Sequence, residues 1–315
     1  MSNRAVVHDQ DLIRSAFLEW DKVHQAMTSP NVFSVAADIA FDWLSIAGAM
    51  YLLHRFGWFC APAVIVWIGN RQRALGNLLH DASHRNLAAS RRVNDVLAAL
   101  FIAPLLFNSL PVYREAHARH HAWLGDPHTD PDYIAVRIEP GRGWWRPYIT
   151  VLLTPHVWRG STFGHLHTAQ ANPSQKAGII VWWTIAVSAL TLTAGPRATV
   201  ICLTAWMVAR ATAFHAITTF RELCDHFGRQ PGGVFNYTRD ISSHSFWRWI
   251  IHPQNNGYHL THHLMPAVPY HRLPKAHRRL LELAAFASTA RICHSYFVGT
   301  GAVVREWELR PGERP

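Results

Sequence analysis

The sequence predicts an all-α integral membrane protein with four transmembrane helices in two hairpins and a cytoplasmic helical cap. Three observations predict this class. Apolar residues are gathered into long segments, tight turns join these segments in pairs, and histidines recur at helical spacing outside them. Hydrophobic residues make up 49% of the 315 residues, and Trp, which is enriched where helices cross lipid headgroups, occurs 14 times.

Four segments are long enough to cross a bilayer, a distance that takes about 20 mostly apolar residues. They cover about residues 35–53, 58–79, 177–194 and 198–220. Only the third segment has no charged residue; the others contain Asp38, Asp42, Arg71, Arg73 and Arg210. We therefore expect these charged side chains to extend beyond the bilayer or to face the protein interior.

Short polar and glycine-containing turns at residues 54–57 and 195–197 pair the spans. With four spans, residues 1–30, the central region and the C-terminus lie on one side, which carries most of the 30 Lys and Arg residues. The positive-inside rule makes this side cytoplasmic. Residues 1–30 mix both charges and do not resemble a cleaved signal peptide. We treat residues 1–315 as a single membrane domain.

The formal charge of +10 indicates a basic surface that could attract several kinds of anionic partner. Attraction to an anionic membrane face is favoured over nucleic acid, because no nucleic-acid motif accompanies the scattered arginines. An acidic electron or acyl carrier is a further candidate. The four cysteines stand alone, so they indicate neither a thiolate site nor a disulfide framework. A soluble protein with unusually apolar core helices remains the alternative fold.

Three short boxes of histidines lie on the predicted cytoplasmic side. Their members are His80 and His84, then His117, His120 and His121, then His259, His262 and His263. Residues three and four apart share a helix face, so each box aims its imidazoles at one point. Imidazole suits iron, copper, zinc and nickel. The boxes therefore predict a metal centre near the membrane surface.

A ninth histidine, His226, follows the fourth span and is a candidate ligand, although a hydrogen-bonded interfacial histidine is the alternative. Glu222 lies one turn earlier on the same face. We predict catalytic roles for Glu222 and Asp225: Glu222 contacts the metal through water or orients a ligand, and Asp225 orients a ligand. Eight or nine histidines exceed the needs of one ion, so two ions fit. A pair of irons bound mainly by histidines in a membrane protein indicates oxygen activation.

The boxes, their order among the spans, and residues 126–132, 221–226 and 256–266 resemble the membrane fatty acid desaturase and hydroxylase superfamily. The resemblance implies a non-haem di-iron centre, O2 as co-substrate, and a separate ferredoxin, rubredoxin or cytochrome-type electron donor. It also implies nine iron ligands: His80, His84, His117, His120, His121, His226, His259, His262 and His263. Stearoyl-CoA-type members have Asn where this chain has Glu222, which is a departure from their pattern.

The resemblance implies desaturation of a fatty-acyl or lipid chain, which we expect to reach the irons through an apolar tunnel. Hydroxylation or ketolation of a lipid, alkane or carotenoid by the same centre is the alternative. A membrane metal transporter is disfavoured, because transport sites lie near the midplane of the spans. We expect structural roles for the remaining histidines, including His165, His215, His252 and His277; lining of a substrate channel is the alternative for His215.

Overall fold

The computed structural model describes residues 4–135 and 143–308, and about 70% of the chain is helical. The predicted all-α class is therefore confirmed. Residues 4–135 contain six α-helices: α1 (Arg4–Ala16), α2 (Trp20–Met27), α3 (Val32–Phe56), α4 (Ala61–Ser83), α5 (Arg91–Phe101) and α6 (Leu110–Ala122).

Residues 143–308 contain eleven further α-helices, several of them one or two turns long. They are α7 (Trp145–Leu152), α8 (Pro155–Phe163), α9 (Pro173–Ala194), α10 (Pro196–Ala209), α11 (His215–His226), α12 (Val234–Tyr237), α13 (Trp247–Ile251), α14 (His259–Leu264), α15 (Leu273–Leu281), α16 (Ala284–Thr289) and α17 (Val303–Glu306). Two short strands, β1 (Asp240–Ile241) and β2 (Ile292–Cys293), pair in parallel with Asp240 opposite Ile292.

Helices α3 and α4 are separated at Gly57. Its backbone φ of 74° is a conformation that residues other than glycine rarely adopt. The two helices pack against each other. Arg71 Nη1 on α4 lies 3.0 Å from Asp42 Oδ1 on α3, and both side chains are buried. These two charges face the protein interior, as expected for ionisable groups within a span.

Helices α10 and α11 form one continuous rod, because a π-helical turn (Arg210–Phe214) joins them directly. Such turns carry one extra residue and often occur at functional sites. The π turn packs against the middle of α4. Helix α9 precedes this rod and starts with a capping box, in which the Asn172 side chain accepts a hydrogen bond from the Gln175 backbone.

Three stretches of the described residues are long and apolar enough to cross a membrane: Trp20–Ser83, Pro173–Ala194 and Pro196–His226. The first contains both α3 and α4. The predicted segments 35–53, 58–79, 177–194 and 198–220 fall on α3, α4, α9 and the α10–α11 rod. The helices extend beyond the predicted segments, and α4 and α11 continue into the histidine-bearing region.

Candidate metal centre

Four helices carry the predicted ligands to one place. Helix α4 ends at Ser83 and presents His80 and His84, while α11 ends at His226. Helix α6 carries the second box and α14 carries the third. Backbone and side-chain hydrogen bonds from Thr261 to Asp240 fix α14, with the Thr261 nitrogen 3.0 Å from Asp240 Oδ1. The boxes are thus brought together by helices distant in sequence.

The nine histidines form two clusters, in each of which the candidate ligand atoms lie within 4.8 Å of one another. The first histidine cluster contains His80, His84, His117, His121 and His262. The second histidine cluster contains His120, His226, His259 and His263. The structure therefore brings all nine predicted ligands together, and each cluster is able to hold a metal ion.

Helical spacing divides the second and third boxes between the clusters. His117 and His121 are four residues apart and point to the first cluster, whereas His120 points to the second. In the third box His259 and His263 belong to the second cluster and His262 to the first. The rings of His121 and His263 stack with centroids 4.1 Å apart, so the two clusters are adjacent.

The distances between imidazole nitrogens fit ligands around a common ion. In the first cluster the Nε2 atom of His121 lies 3.0 Å from His117 Nε2 and 3.1 Å from His262 Nε2. With metal–nitrogen bonds of about 2.1 Å, ligands at a right angle lie about 3.0 Å apart and tetrahedral ligands about 3.4 Å apart. The two spacings are short enough for neighbouring ligands of one ion.

The second cluster repeats this spacing. His259 Nε2 lies 2.9 Å from His226 Nε2 and 3.0 Å from His263 Nε2. An imidazole nitrogen has either one proton or one lone pair, so hydrogen bonds among the three rings satisfy these two contacts poorly. A cation that accepts all three lone pairs satisfies them together. The donor set therefore fits a metal ion.

Burial keeps most of these imidazoles in the neutral form that binds metals. It lowers the pKa of His84 to about 3, with further lowering by the neighbouring His120 and Arg114. It also places the pKa of His262 and of His263 well below the usual value for histidine.

His120 differs from the other candidate ligands because a carboxylate forms a hydrogen bond with it. Its Nδ1 atom lies 2.8 Å from Asp130 Oδ1, and the other oxygen of Asp130 accepts a hydrogen bond from the Gly125 backbone. Burial acts to lower the pKa of His120, but the hydrogen bond to Asp130 and the charge of Asp132 outweigh it and raise the pKa. A carboxylate on the far nitrogen fixes the ring orientation of a metal-bound histidine.

The sequence interpretation gave Asp130 no role, although it lies in the aspartate-rich run after the second box. We expect Asp130→Asn to weaken metal binding at the second cluster by about 10- to 100-fold, because loss of such a partner has that typical effect. Metal titration of the purified protein measures it. Asp132→Asn is the comparison: its carboxylate is 3.8 Å from His120, so its effect is smaller. Equal affinities for wild type and Asp130→Asn would refute this role.

The Asp225 carboxylate lies behind the second cluster. It pairs with Arg221 at 2.9 Å and accepts a hydrogen bond from His252 at 3.1 Å. Its Oδ2 atom is 3.8 Å from His259 Nδ1, which is beyond hydrogen-bond length but close enough for electrostatic support. The Nδ1 atom of His226 instead donates to the backbone carbonyl of Tyr237 at 3.2 Å.

Glu222 lies outside both clusters. Its Oε1 atom accepts a hydrogen bond from Arg221 Nη1 at 2.6 Å, and the side chain lines a cavity beside His226 and His259. Arg221 also donates from Nε to Asn256 at 2.9 Å. Glu222 is therefore held at the wall of the cavity, one turn before His226.

The four histidines named above with expected structural roles, His165, His215, His252 and His277, are all hydrogen-bonded. In the core, His215 accepts from Ser161 at 2.6 Å and donates to the Leu152 carbonyl at 2.8 Å. His277 donates to Asp240 at 2.7 Å and so supports the segment that carries the third box. His165 accepts from the Ser109 backbone at 2.9 Å, but its ring also lines the cavity that Glu222 borders.

We call this space the polar cavity. Its volume is about 330 Å³, and it touches histidines of both clusters. Charged residues on its wall are Arg73, Asp132, Arg210, Arg221 and Glu222. A second cleft, beneath α1, touches His84, His117 and His121 of the first cluster.

The polar cavity differs from the expected apolar tunnel. An apolar cavity of about 610 Å³ does exist between α3, α9 and α10, with Trp182, Trp183 and Trp206 in its wall. No ligand histidine lies in that wall. The charged wall of the polar cavity arises because Arg73 of α4 and Arg210 of the π turn face inward, which is one of the two outcomes expected from the sequence.

Comparisons with known proteins place the chain in one protein family. The sequence model of the fatty acid desaturase family matches residues 32–295. A dihydrorhizobitoxine desaturase of Bradyrhizobium elkanii is 30% identical over 290 residues, covering 85% of this chain and 81% of that protein. An sn-1 oleoyl-lipid 12-desaturase of Synechocystis is 25% identical over 297 residues, covering 87% and 81%. The matched region includes every predicted ligand.

Proposed function

This chain belongs to the fatty acid desaturase family and is an oxidoreductase, and we propose that it desaturates a hydrocarbon segment at a non-haem di-iron centre with O2. Nine buried or half-buried histidines in two adjacent clusters beside one cavity carry this proposal. The family implies an acyl-lipid type of substrate and a membrane setting. The names of the relatives favour desaturation over hydroxylation.

The proposed ligands are the five histidines of the first cluster for one iron and the four of the second cluster for the other. Iron is favoured over tetrahedral zinc because the five histidines of the first cluster exceed the four ligands of a tetrahedral ion. The di-iron centre supplies the oxidising power for removing two hydrogens from adjacent carbons. Asp130 and the Tyr237 carbonyl orient His120 and His226, and the protein wall keeps the reacting segment beside both clusters.

The overall reaction requires reductant from outside the chain. A segment –CH2–CH2– and O2, with two electrons and two protons, give –CH=CH– and two waters. We propose a separate one-electron carrier of the ferredoxin, rubredoxin or cytochrome type as the donor. The cleft beneath α1 touches the first cluster, which makes that side of the protein a candidate route for electrons.

Mass spectrometry of metabolites from expressing cells tests this function. Cells with the wild-type chain are compared with cells carrying His262→Ala, which is expressed to the same level. A product two hydrogens lighter than its precursor, absent in the variant, is the expected result. A product with one added oxygen would instead establish hydroxylation. A purified protein that binds no iron under anaerobic loading would refute the di-iron proposal.

We expect Glu222→Gln to preserve folding and to reduce turnover. The substitution removes a negative charge from the cavity wall beside His226 and His259 but keeps the size of the side chain. Turnover per iron is the measurement, with thermal unfolding as the check on folding. Glu282→Gln is a matched control, because this exposed residue pairs with Arg279 away from the site. Unchanged turnover in Glu222→Gln would remove Glu222 from the mechanism.

We further propose that residues 1–315 form one membrane domain with α3, α4, α9 and the α10–α11 rod as four spans in two hairpins. The buried Asp42–Arg71 pair between α3 and α4 supports the first hairpin. The positive-inside rule supports a cytoplasmic active site.

Cysteine labelling of intact cells with a membrane-impermeant thiol reagent tests this orientation. Arg55→Cys should react from outside the cell, and Arg92→Cys should not.

A further inference from the structure

Two arginines in the wall of the polar cavity have no ion-pair partner among the described residues. Arg73 belongs to α4 and Arg210 to the π turn packed against it. Arg73 is 6% exposed and Arg210 is 1% exposed. Among the described residues neither guanidinium forms an ion pair with a carboxylate. A buried, unpaired charge is costly, so these positions need an explanation.

Arg210 is held rigidly while part of its guanidinium group is left without a partner. Its Nε donates to the Thr162 carbonyl and its Nη2 to the Leu106 carbonyl, each at 2.7 Å. The Phe214 ring lies 4.6 Å from its central carbon. The remaining nitrogen, Nη1, has no hydrogen-bond partner in the described part of the chain. The side chain is thus oriented before any ligand arrives.

Arg73 is oriented in the same way. Its Nη2 donates to Asn77 Oδ1 at 2.8 Å, and Asn77 is fixed in turn by the Pro253 carbonyl at 2.7 Å. The Nε atom has no partner within the described residues. Gly76 makes this position possible, because a Cβ there would lie 2.7 Å from Arg73 Nη2. The guanidinium therefore occupies space that any larger residue at position 76 would take.

The two carboxylates of the cavity wall do not neutralise these arginines. Glu222 is bonded to Arg221 at 2.6 Å, and Asp132 lies nearest to His120 at 3.8 Å. The Arg73 guanidinium is repelled by Arg221 and by Arg210. It is attracted by Glu222 and Asp225 without forming an ion pair with either. The side of the cavity formed by α4 and the π turn therefore carries two arginines that no carboxylate of the described residues pairs directly.

We propose that Arg73 and Arg210 bind the free carboxylate of a small substrate whose hydrocarbon segment then lies beside the two histidine clusters. The planar fork of arginine matches the two oxygens of a carboxylate. The volume of about 330 Å³ is at the low end for small-molecule sites. This inference rests on the proposed desaturation and assigns it a small free acid as the substrate, in place of an ester or thioester of a large head group.

Equilibrium binding of radiolabelled hexanoate to the full-length, iron-loaded protein in detergent tests the inference. Hexan-1-ol and hexylamine have the same chain without the negative charge. Hexanoate is expected to bind at least about tenfold more tightly than either, as a hydrogen bond to a charged group implies. Equal binding of the three probes by the wild-type protein would overturn the proposal without any variant. Hexyl phosphate binding more tightly than hexanoate would overturn the carboxylate assignment.

Variants then assign the binding to the two arginines. Arg73→Met and Arg210→Met should each weaken hexanoate binding at least about tenfold while leaving hexan-1-ol unaffected. Arg229→Met is the matched control, because Arg229 also donates to two backbone carbonyls but lies away from the cavity. If a methionine variant fails to fold, Arg210→Lys keeps the charge but loses the fork, and wild-type affinity in it would overturn the role of the fork.

Iron content and O2 consumption of the same preparation separate this inference from the proposed function. A protein that binds iron and consumes O2 but shows no preference for hexanoate supports the function and overturns the carboxylate site. A protein that prefers hexanoate through Arg73 and Arg210 but retains no iron supports the anion site and overturns the di-iron function.

Discussion

His262→Ala is expected to lower iron content from about two ions per chain to about one and to abolish turnover. His262 is the only member of the first cluster contributed by α14, and its Nε2 lies 3.1 Å from that of His121. Its removal leaves one side of the first cluster without a ligand. It also removes the contact between His262 on α14 and His121 on α6. Because both irons are needed to activate O2 in the proposed reaction, loss of one ion stops the chemistry. Metal analysis and product formation measure the two effects.

His263→Ala is the complementary variant, since His263 belongs to the second cluster. It should also lose about one iron while keeping the other, and spectroscopy of the retained ion should differ between the two variants. His294→Ala is the control, because His294 is exposed and pairs with Ser242 at 3.0 Å away from the clusters. Full iron content in either His262→Ala or His263→Ala would show that the ligand assignment is wrong.

Removal of the metal should lower the melting temperature of the wild-type protein by roughly 10 °C or more. The clusters link four helices, α4, α6, α11 and α14, through side chains that are largely buried. Without an ion, nitrogens about 3 Å apart face one another with too few protons to pair. An unsatisfied buried polar group typically costs about 1–3 kcal/mol.

The measurement is a thermal unfolding curve before and after anaerobic chelation, followed by readdition of ferrous ion. The double variant His262→Ala, His263→Ala is the control, because it lacks a ligand in each cluster. Chelator should change its melting temperature much less than that of the wild type. An unchanged melting temperature in the wild type, with complete removal of iron, would show that the ions do not hold the four helices together.

The long apolar helices and the convergence of the nine histidines were predictable because both depend on local spacing. The predicted segments fall on α3, α4, α9 and the α10–α11 rod, since a run of about 20 apolar residues has few other folds available. The grouping of the histidines within each box was predictable because residues three and four apart share a helix face. All nine are found in the two clusters.

The supporting residues were not predictable in the same way. Asp130 contacts His120 only because the chain turns back after α6, and an aspartate in a polar loop gives no sequence signal of that contact. Arg73 and Arg210 lie within apolar segments, where the sequence indicated only that they face inward. Their unpaired state depends on which side chains surround them in three dimensions. The expected apolar tunnel stays a prediction, because the described cavities do not test it.

The sequence by itself determined that this chain is helical and has helices long enough to cross a membrane. It also determined nine histidines whose positions suit metal binding. Helical periodicity is a property of neighbouring residues, so these features need no long-range information. Only the tertiary structure decided how the boxes divide between two clusters, which carboxylates orient them, and which charges line the cavity between α4 and the π turn. These properties depend on contacts between residues more than 100 positions apart, such as Arg210 with the Leu106 carbonyl, which only folding brings together.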